Sequence, residues 1–263
     1  MKAKLTILGC GNSTGVPAIG NYWGDCDPSE SKNTRMRSSV LVQTDKTTLV
    51  VDTGPDFRQQ LNNADVNYID GVLYTHAHAD HINGIDELRF MALKNKMLIP
   101  VYGNKETLGK LSARFDYLFE GGNHRLYPQI VEGHGIEASQ FGAPQSLGDI
   151  EFIPFEQDHG TVQSVGYRFG DLGYSVDIYR LDDKAINVLK GVKIWVVDAA
   201  AYKSETNPVH ANLETIYELN KQIGAETVYL TSLSLVMDYQ TLMAELSEGF
   251  VAAHDGLIIE FEC

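Results

Sequence analysis

Cysteine is scarce in this chain. Only Cys10, Cys26 and Cys263 are present, an odd number set far apart and without a C-x-x-C pair. That argues against a disulfide framework, and no neighbouring pattern marks a base for a catalytic thiol. Long apolar runs are missing too, so no window could span a membrane. The opening Met1-Lys2-Ala3-Lys4-Leu5-Thr6-Ile7-Leu8-Gly9 enters a short strand directly and carries no apolar export segment. A cytoplasmic protein with no membrane partner is expected. Basic charge is in deficit: 21 Lys and Arg stand against 35 Asp and Glu, a net charge of −14. A long nucleic acid, with its dense phosphate charge, is therefore not an expected partner. A small anion is compatible, because a bound metal's charge governs its immediate surroundings. Linkers, low-complexity tracts and short internal repeats are also lacking. A chain of 263 residues without them is read as a single domain, 1–263.

What the chain does have is histidine concentrated in one place. Tyr74-Thr75-His76-Ala77-His78-Ala79-Asp80-His81 packs three imidazoles and a carboxylate into six residues. These side chains bind zinc and similar ions. Gly71-Val72-Leu73-Tyr74 reads as a short apolar strand, and the candidate ligands begin where it ends. In an extended segment His76 and His78 point the same way, because side chains alternate with period two. The chain must then turn, which carries Asp80 and His81 to the other side of the same small volume. Two ions could sit there side by side. A merely polar loop would have little use for so many ring nitrogens directly after a buried strand.

The H-x-H-x-D-H run resembles the signature of the metallo-β-lactamase superfamily, and further pieces follow in that family's order. The resemblance implies that His76 and His78 bind one metal and that Asp80 and His81 bind a second. Upstream, Thr48-Leu49-Val50-Val51-Asp52-Thr53-Gly54 reads as a strand closing on an Asp and a Gly turn. In the family this Asp, here Asp52, supports the metal loop from behind. Downstream, Phe152-Ile153-Pro154-Phe155-Glu156-Gln157-Asp158-His159 ends in a residue that matches the third metal-binding His. Gly173-Tyr174-Ser175-Val176-Asp177 resembles the motif whose carboxylate, here Asp177, bridges the two metals. A bridging carboxylate lowers the repulsion between dications about 3.5–4 Å apart. The implied cofactor is Zn²⁺, one or two ions, with Mn²⁺ as an alternative.

The chain departs from the family at the last motif. There a late strand ends in Thr, followed by a His that completes the second metal site. Here Val228-Tyr229-Leu230-Thr231-Ser232-Leu233-Ser234 offers serines instead. A serine hydroxyl is a poor Zn²⁺ ligand unless deprotonated. The second site is thus expected to be weaker, with Ser232, Ser234 or the late-loop His254 as replacement ligands. His210, in a loop between a strand closing at Asp198 and a helix, is similar to the substrate-facing His of the phosphoribosyl cyclic phosphodiesterase branch. That implies a role as general acid or phosphate contact, alongside Asp80 in catalysis. Lys32-Asn33-Thr34-Arg35-Met36-Arg37 is the one basic cluster, and Arg35 and Arg37 either contact phosphate or form ion pairs in the fold. The opening Gly9-Cys10-Gly11-Asn12-Ser13-Thr14-Gly15-Val16-Pro17 is not a G-x-G-x-x-G loop, and Pro17 argues against a helix starting there. It resembles the opening of this hydrolase branch, whose free backbone N–H groups would line one wall of the site. Cys26 stands alone in the loop where some relatives hold a structural zinc, so none is expected. His124 and His134 are given no role.

The coarse order is α/β. Strands are read at Ser39–Gln43, Thr48–Asp52, Ile194–Asp198 and Thr227–Thr231, and helices at Asp56–Asn62, Thr107–Phe119 and Leu213–Ile223. In the second helix Leu108, Leu111, Phe115 and Leu118 share a face; in the third Ile216, Leu219 and Ile223 point inward. Two sheets covered by helices fit this order, and the resemblance implies the αββα four-layer sandwich with the metals at one edge. It further implies a metal-dependent hydrolase, cleaving a small cyclic or nucleotide-like phosphodiester through a metal-held hydroxide. Two alternatives stay open: a weakly active or inactive metal- or nucleotide-binding member with a degraded second site, and a thioester hydrolase. The expected partner is a small anionic phosphodiester, and a homodimer is left open.

Overall fold

The computed structural model describes residues 1–121 and 127–263. His124 lies outside the described residues. The strands are β1 (Lys2–Gly9), β2 (Ser39–Gln43), β3 (Thr48–Val51), β4 (Gly71–Leu73), β5 (Ile99–Asn104), β6 (Val131–Ile136), β7 (Gln145–Leu147), β8 (Ile150–His159), β9 (Val162–Phe169), β10 (Leu172–Ser175), β11 (Ile194–Asp198), β12 (Thr227–Thr231), β13 (Phe250–Ala252) and β14 (Ile258–Glu262). They form two seven-stranded sheets, ordered β14-β1-β2-β3-β4-β5-β6 and β13-β12-β11-β10-β9-β8-β7.

The two sheets repeat one plan. In the first, β1, β2 and β3 pair antiparallel, and β3, β4, β5 and β6 then pair parallel. In the second, β8, β9 and β10 pair antiparallel, and β10, β11, β12 and β13 then pair parallel. The C-terminal β14 returns to the first sheet beside β1.

The sandwich follows from strands buried on both faces. Along β3, Leu49 and Val51 point between the sheets, where they join Phe152, Val165 and Tyr167. Val50, one residue out of phase, packs on the other side with Phe57, Leu61 and Ile82. A strand covered on both faces reads as a continuous apolar run, and this one does. Helix Phe57–Asn63 therefore lies outside the first sheet, and helix Leu213–Ile223 outside the second. In the latter Ile216, Leu219 and Ile223 are buried as their spacing requires, and Gly224 closes it at φ 81°. The expected helix over 107–119 is two helices, Lys105–Arg114 and Asp116–Phe119. Phe115 breaks it at φ −128°, ψ 40°, and both pieces still bury one residue each of the predicted face, Leu111 and Leu118. Among the described residues no helix is long and apolar enough to cross a membrane.

One close approach positions the site. A Cβ on Gly54 would stand 2.2 Å from the Asp80 carbonyl oxygen. Only a residue without a side chain lets the turn after β3 seat against the loop after β4.

Candidate metal centre

The chemistry gathers where strands end. Asp52 follows β3, His76 follows β4, His159 closes β8, Asp177 follows β10, Asp198 closes β11 and Ser232 follows β12. Asp52, Asp177 and Ser232 hold positive φ, at 64°, 51° and 56°. A non-glycine residue there costs roughly 1 kcal/mol, and such residues concentrate where a side chain must be aimed. His78 then starts the short helix Ala79–Ile82, which presents Asp80 and His81.

Asp177 is the hub. Its Oδ2 lies 3.3 Å from His76 Nε2, 3.2 Å from His81 Nε2 and 3.6 Å from His159 Nε2. His81 Nε2 is 3.5 Å from Asp80 Oδ2. The ring centroids of His76 and His78 are 4.4 Å apart, so the two rings meet as alternation requires. Asp177 belongs to three groups whose donor atoms lie within 4.8 Å of one another: two ligand groups on the histidine run, His76, His78, His159 and Asp177, and Asp80, His81 and Asp177; and a third that joins it to Asp198 and His210.

The backs of the rings are fixed. Asp52 is fully buried; its Oδ1 accepts the Thr75 backbone N–H at 2.8 Å, and its Oδ2 accepts the Thr75 hydroxyl at 2.7 Å. His81 Nδ1 is 2.7 Å from the same Oδ2. The Thr75 hydroxyl has given its only proton to Asp52, so at 3.0 Å it accepts from His76 Nδ1. His159 Nδ1 donates to the Val209 carbonyl at 2.8 Å. In the neutral form of His76, His81 and His159 the proton therefore sits on Nδ1 and Nε2 faces inward with a lone pair, which is how histidine is prepared for a metal.

The electrostatics agree. Burial, with His81 alongside, holds His76 below the usual imidazole range. Burial with His76 and His159 nearby pushes His78 down to about 4. Both rings are thus neutral, the form that binds cations. Burial alone would raise Asp177, but His81 and His76 hold it well below the carboxylate range. Burial opposes a charge on His81 too, yet Asp177 and Asp52 outweigh it and raise this ring well above the imidazole range. Without a metal, the carboxylates draw a proton to the place where a cation would sit. His76 Nε2 is buried without a hydrogen-bond partner. An ion there would give that lone pair its partner, and the donor set fits a divalent metal.

A cavity of about 280 Å³ opens over these residues. His78, Asp80, His81, His159 and Asp177 line one side, and His210 and Ser232 also reach it. His210 Nδ1 is 2.6 Å from Asp198 Oδ2, so the ring has Nε2 left for the cavity. Burial lowers His210, but the Asp198 charge dominates and raises it to about 9.

Several expected site residues lie elsewhere. Arg35 is 2% exposed, and its guanidinium donates to the Ser234 and Met237 carbonyls and the Asn33 side chain. It ties two distant loops together and does not face the cavity as a phosphate contact. Arg37 pairs with Asp56 at 3.2 Å and is likewise not in the cavity wall. His254 bonds at Nδ1 to the Asp255 carbonyl and sets its ring against Tyr239, outside both ligand groups. Ser234 is outside the cavity wall as well; its carbonyl is a partner of Arg35. Ser232 is the serine that reaches the site. The Gly-rich opening does line the cavity, through Gly11, Asn12 and Ser13. The Gly11 and Asn12 N–H groups are not free, however: they donate to the Met36 and Leu233 carbonyls. Sequence reasoning gave no role to Thr75, Asp198 or Ser38. Asp198 had a visible signal, since like Asp52 it is an acid closing a buried apolar strand.

Comparison with known proteins follows this geometry. A family model described as a beta-lactamase superfamily domain matches residues 47–231. A diphosphatase from the PhnP family has a crystal structure that superposes with a TM-score of 0.88 at 33% identity, covering 99% of this chain and 98% of that one. An octanoyltransferase of Porphyromonas gingivalis (strain ATCC BAA-308 / W83) is 29% identical over 232 residues, 88% of this chain and 46% of that protein. The exodeoxyribonuclease YycJ of Bacillus anthracis is 26% identical over 175 residues, 61% of this chain and 57% of that protein. The chain thus spans about half the length of these curated relatives.

Proposed function

We propose that this chain, which belongs to the metallo-β-lactamase superfamily of hydrolases, cleaves a small anionic phosphodiester with the help of one or two divalent ions, Zn²⁺ foremost. One observation carries the reading: His78, Asp80, His81, His159 and Asp177, with His76 buried behind them, line a single cavity of about 280 Å³ together with His210. That volume is at the low end for small-molecule sites and suits a small ester rather than a polynucleotide.

His76, His78, His159 and Asp177 would hold one ion, and Asp80, His81 and Asp177 a second. Bound there, a dication supplies charge for a phosphoryl oxygen and lowers the pKa of water. The chain's own groups do the rest. Asp80 keeps a carboxylate in the cavity, held below the usual range by His81 against the effect of burial. It can accept a hydrogen bond from the attacking water and orient it. His210, charged at neutral pH by Asp198, can give a proton to the departing oxygen from Nε2. Asp198 holds the ring so that the proton faces the cavity.

The names diphosphatase and exodeoxyribonuclease both denote hydrolysis at phosphorus, which supports this class of reaction. A thioester reading would ask for an apolar acyl channel, and among the described lining residues only Ala200 and Val209 have apolar side chains. The test is direct. Chelator-treated protein is assayed with bis(p-nitrophenyl) phosphate and a cyclic nucleotide, with and without Zn²⁺ or Mn²⁺. Metal should restore turnover, and the double variant His76→Ala/His78→Ala should show neither turnover nor uptake at the first site. Full metal loading with no phosphodiester turned over would overturn the proposal.

A further inference from the structure

Ser232 departs from what the rest of the site leads one to expect, and its hydrogen bonds say what it can offer. It is 1% exposed, stands at φ 56°, and lines the cavity with Asp80, His81 and Asp177. Its Oγ is 3.0 Å from Ser38 Oγ. Ser38 Oγ in turn lies 2.9 Å from the Gly11 carbonyl, to which it donates. A carbonyl has no proton, so the single Ser38 proton is committed there. The proton between the two serines must then come from Ser232. Ser232 Oγ is left with lone pairs alone for the cavity.

The two ligand groups are consequently unlike in kind. The first has three imidazole nitrogens and one carboxylate, from His76, His78, His159 and Asp177. The second has one imidazole, His81, with two carboxylates, Asp80 and Asp177, and the Ser232 oxygen in the same cavity. Imidazole-rich sets suit zinc and iron, while oxygen-rich sets suit manganese and magnesium. We propose that the two halves of the site are tuned to unlike ions, and that Ser232, as a neutral oxygen ligand, turns the second half toward a hard dication such as Mn²⁺. This rests on the metal-dependent reading above and adds to it a mixed-ion centre set by one residue.

The measurement is metal binding. Full-length protein stripped of metal receives one equivalent of Zn²⁺ and is then titrated with Mn²⁺, followed by electron paramagnetic resonance and elemental analysis. Added Zn²⁺ then competes for the second half. Zinc binds more tightly than manganese at most sites, so the informative quantity is the Zn²⁺ excess needed to displace Mn²⁺. Ser232→His should lower that excess by about tenfold or more, because a nitrogen replaces an oxygen. Ser232→Gly keeps the positive φ, since glycine adopts it freely, and should weaken Mn²⁺ binding by about tenfold. Unchanged Mn²⁺ affinity in Ser232→Gly, or an unchanged displacement ratio in Ser232→His, overturns the inference and leaves the hydrolase reading standing. If the wild-type chain takes up no ion in either half, both fall together.

Discussion

Replacing Asp52 by Asn should disable the site without disturbing the fold. The change is isosteric, and Asn is among the residues that tolerate the φ of 64° at this position. The new amide has one acceptor where the carboxylate had two. Its oxygen must meet the Thr75 backbone N–H, which cannot move its proton and would otherwise be buried unpaired, at about 1–3 kcal/mol. The NH₂ then occupies the place of Oδ2, facing the Thr75 hydroxyl and His81 Nδ1. Two donors now confront each other at His81, and the ring relieves this by shifting its proton to Nε2. The Thr75 hydroxyl, now receiving a proton, can turn its own toward His76 Nδ1, and that ring shifts as well. Both inward lone pairs are lost. Disrupting such a supporting bond typically weakens metal binding about 10–100-fold, or roughly 1.4–2.8 kcal/mol, and here each ion loses one prepared ring. Chelator competition on wild type and Asp52→Asn, with thermal unfolding of the metal-free proteins as control, measures both quantities. The expected result is at least tenfold weaker binding of each ion by a variant that still unfolds cooperatively, with metal-free stability lowered by the loss of the buried Asp52–His81 pair. Affinities within about threefold of wild type would refute the tautomer argument.

Two further perturbations separate other parts of the molecule. Asp198→Asn removes the charge that raises His210 to about 9. A general acid works only below its pKa, so the alkaline fall in kcat should move to lower pH and kcat should drop by about 100-fold, with metal content unchanged. Bound cations lower His210 in both proteins, so the direction of the shift in a pH–rate profile is the test, and a limb that stays in place counts against His210. Asp238→Ala probes stability away from the site: Asp238 accepts from Asn33, from the Asp27 backbone and from Thr241 at the start of helix Tyr239–Glu245. The loss should be about 1–3 kcal/mol in urea unfolding near neutrality. Burial works against the Asp238 charge, but these hydrogen bonds bring it down to about 2, below its unfolded value. Its stabilisation is therefore present above about pH 4 and fades as pH falls toward 2, so the gap between wild type and variant should close in acid.

The strands and the ligand-bearing run were legible because local rules govern both. Apolar runs such as Leu49-Val50-Val51 announce burial on two faces, and alternation alone sets His76 beside His78. Long-range partnership was not legible. Nothing near Arg35 in the chain says that its guanidinium will be taken up by carbonyls at Ser234 and Met237, some 200 residues away. The opposite fate, facing a phosphate, is chemically as reasonable for a basic residue. Thr75 was hidden for a different reason. Threonine before a histidine is unremarkable until Asp52 is seen to take its proton and leave its oxygen as an acceptor. The single helix expected over 107–119 kept its buried residues and lost its continuity, since periodicity reports which face is inward but not whether the backbone bends between turns.

The repeated plan of the two sheets has a mechanical side. The ligands come from both copies of it: His76, His78, Asp80 and His81 from the first, His159 and Asp177 from the second. Any ion held among them is also a fastener, joining points on the order of 80–100 residues apart. A covalent cross-link over so long a loop removes roughly 4–5 kcal/mol of freedom from the unfolded chain. A shared ion acts in the same sense for as long as it stays bound. A bound ion would therefore add a second kind of restraint to the apolar packing that already holds the two copies face to face, one that depends on how much of the ion is supplied.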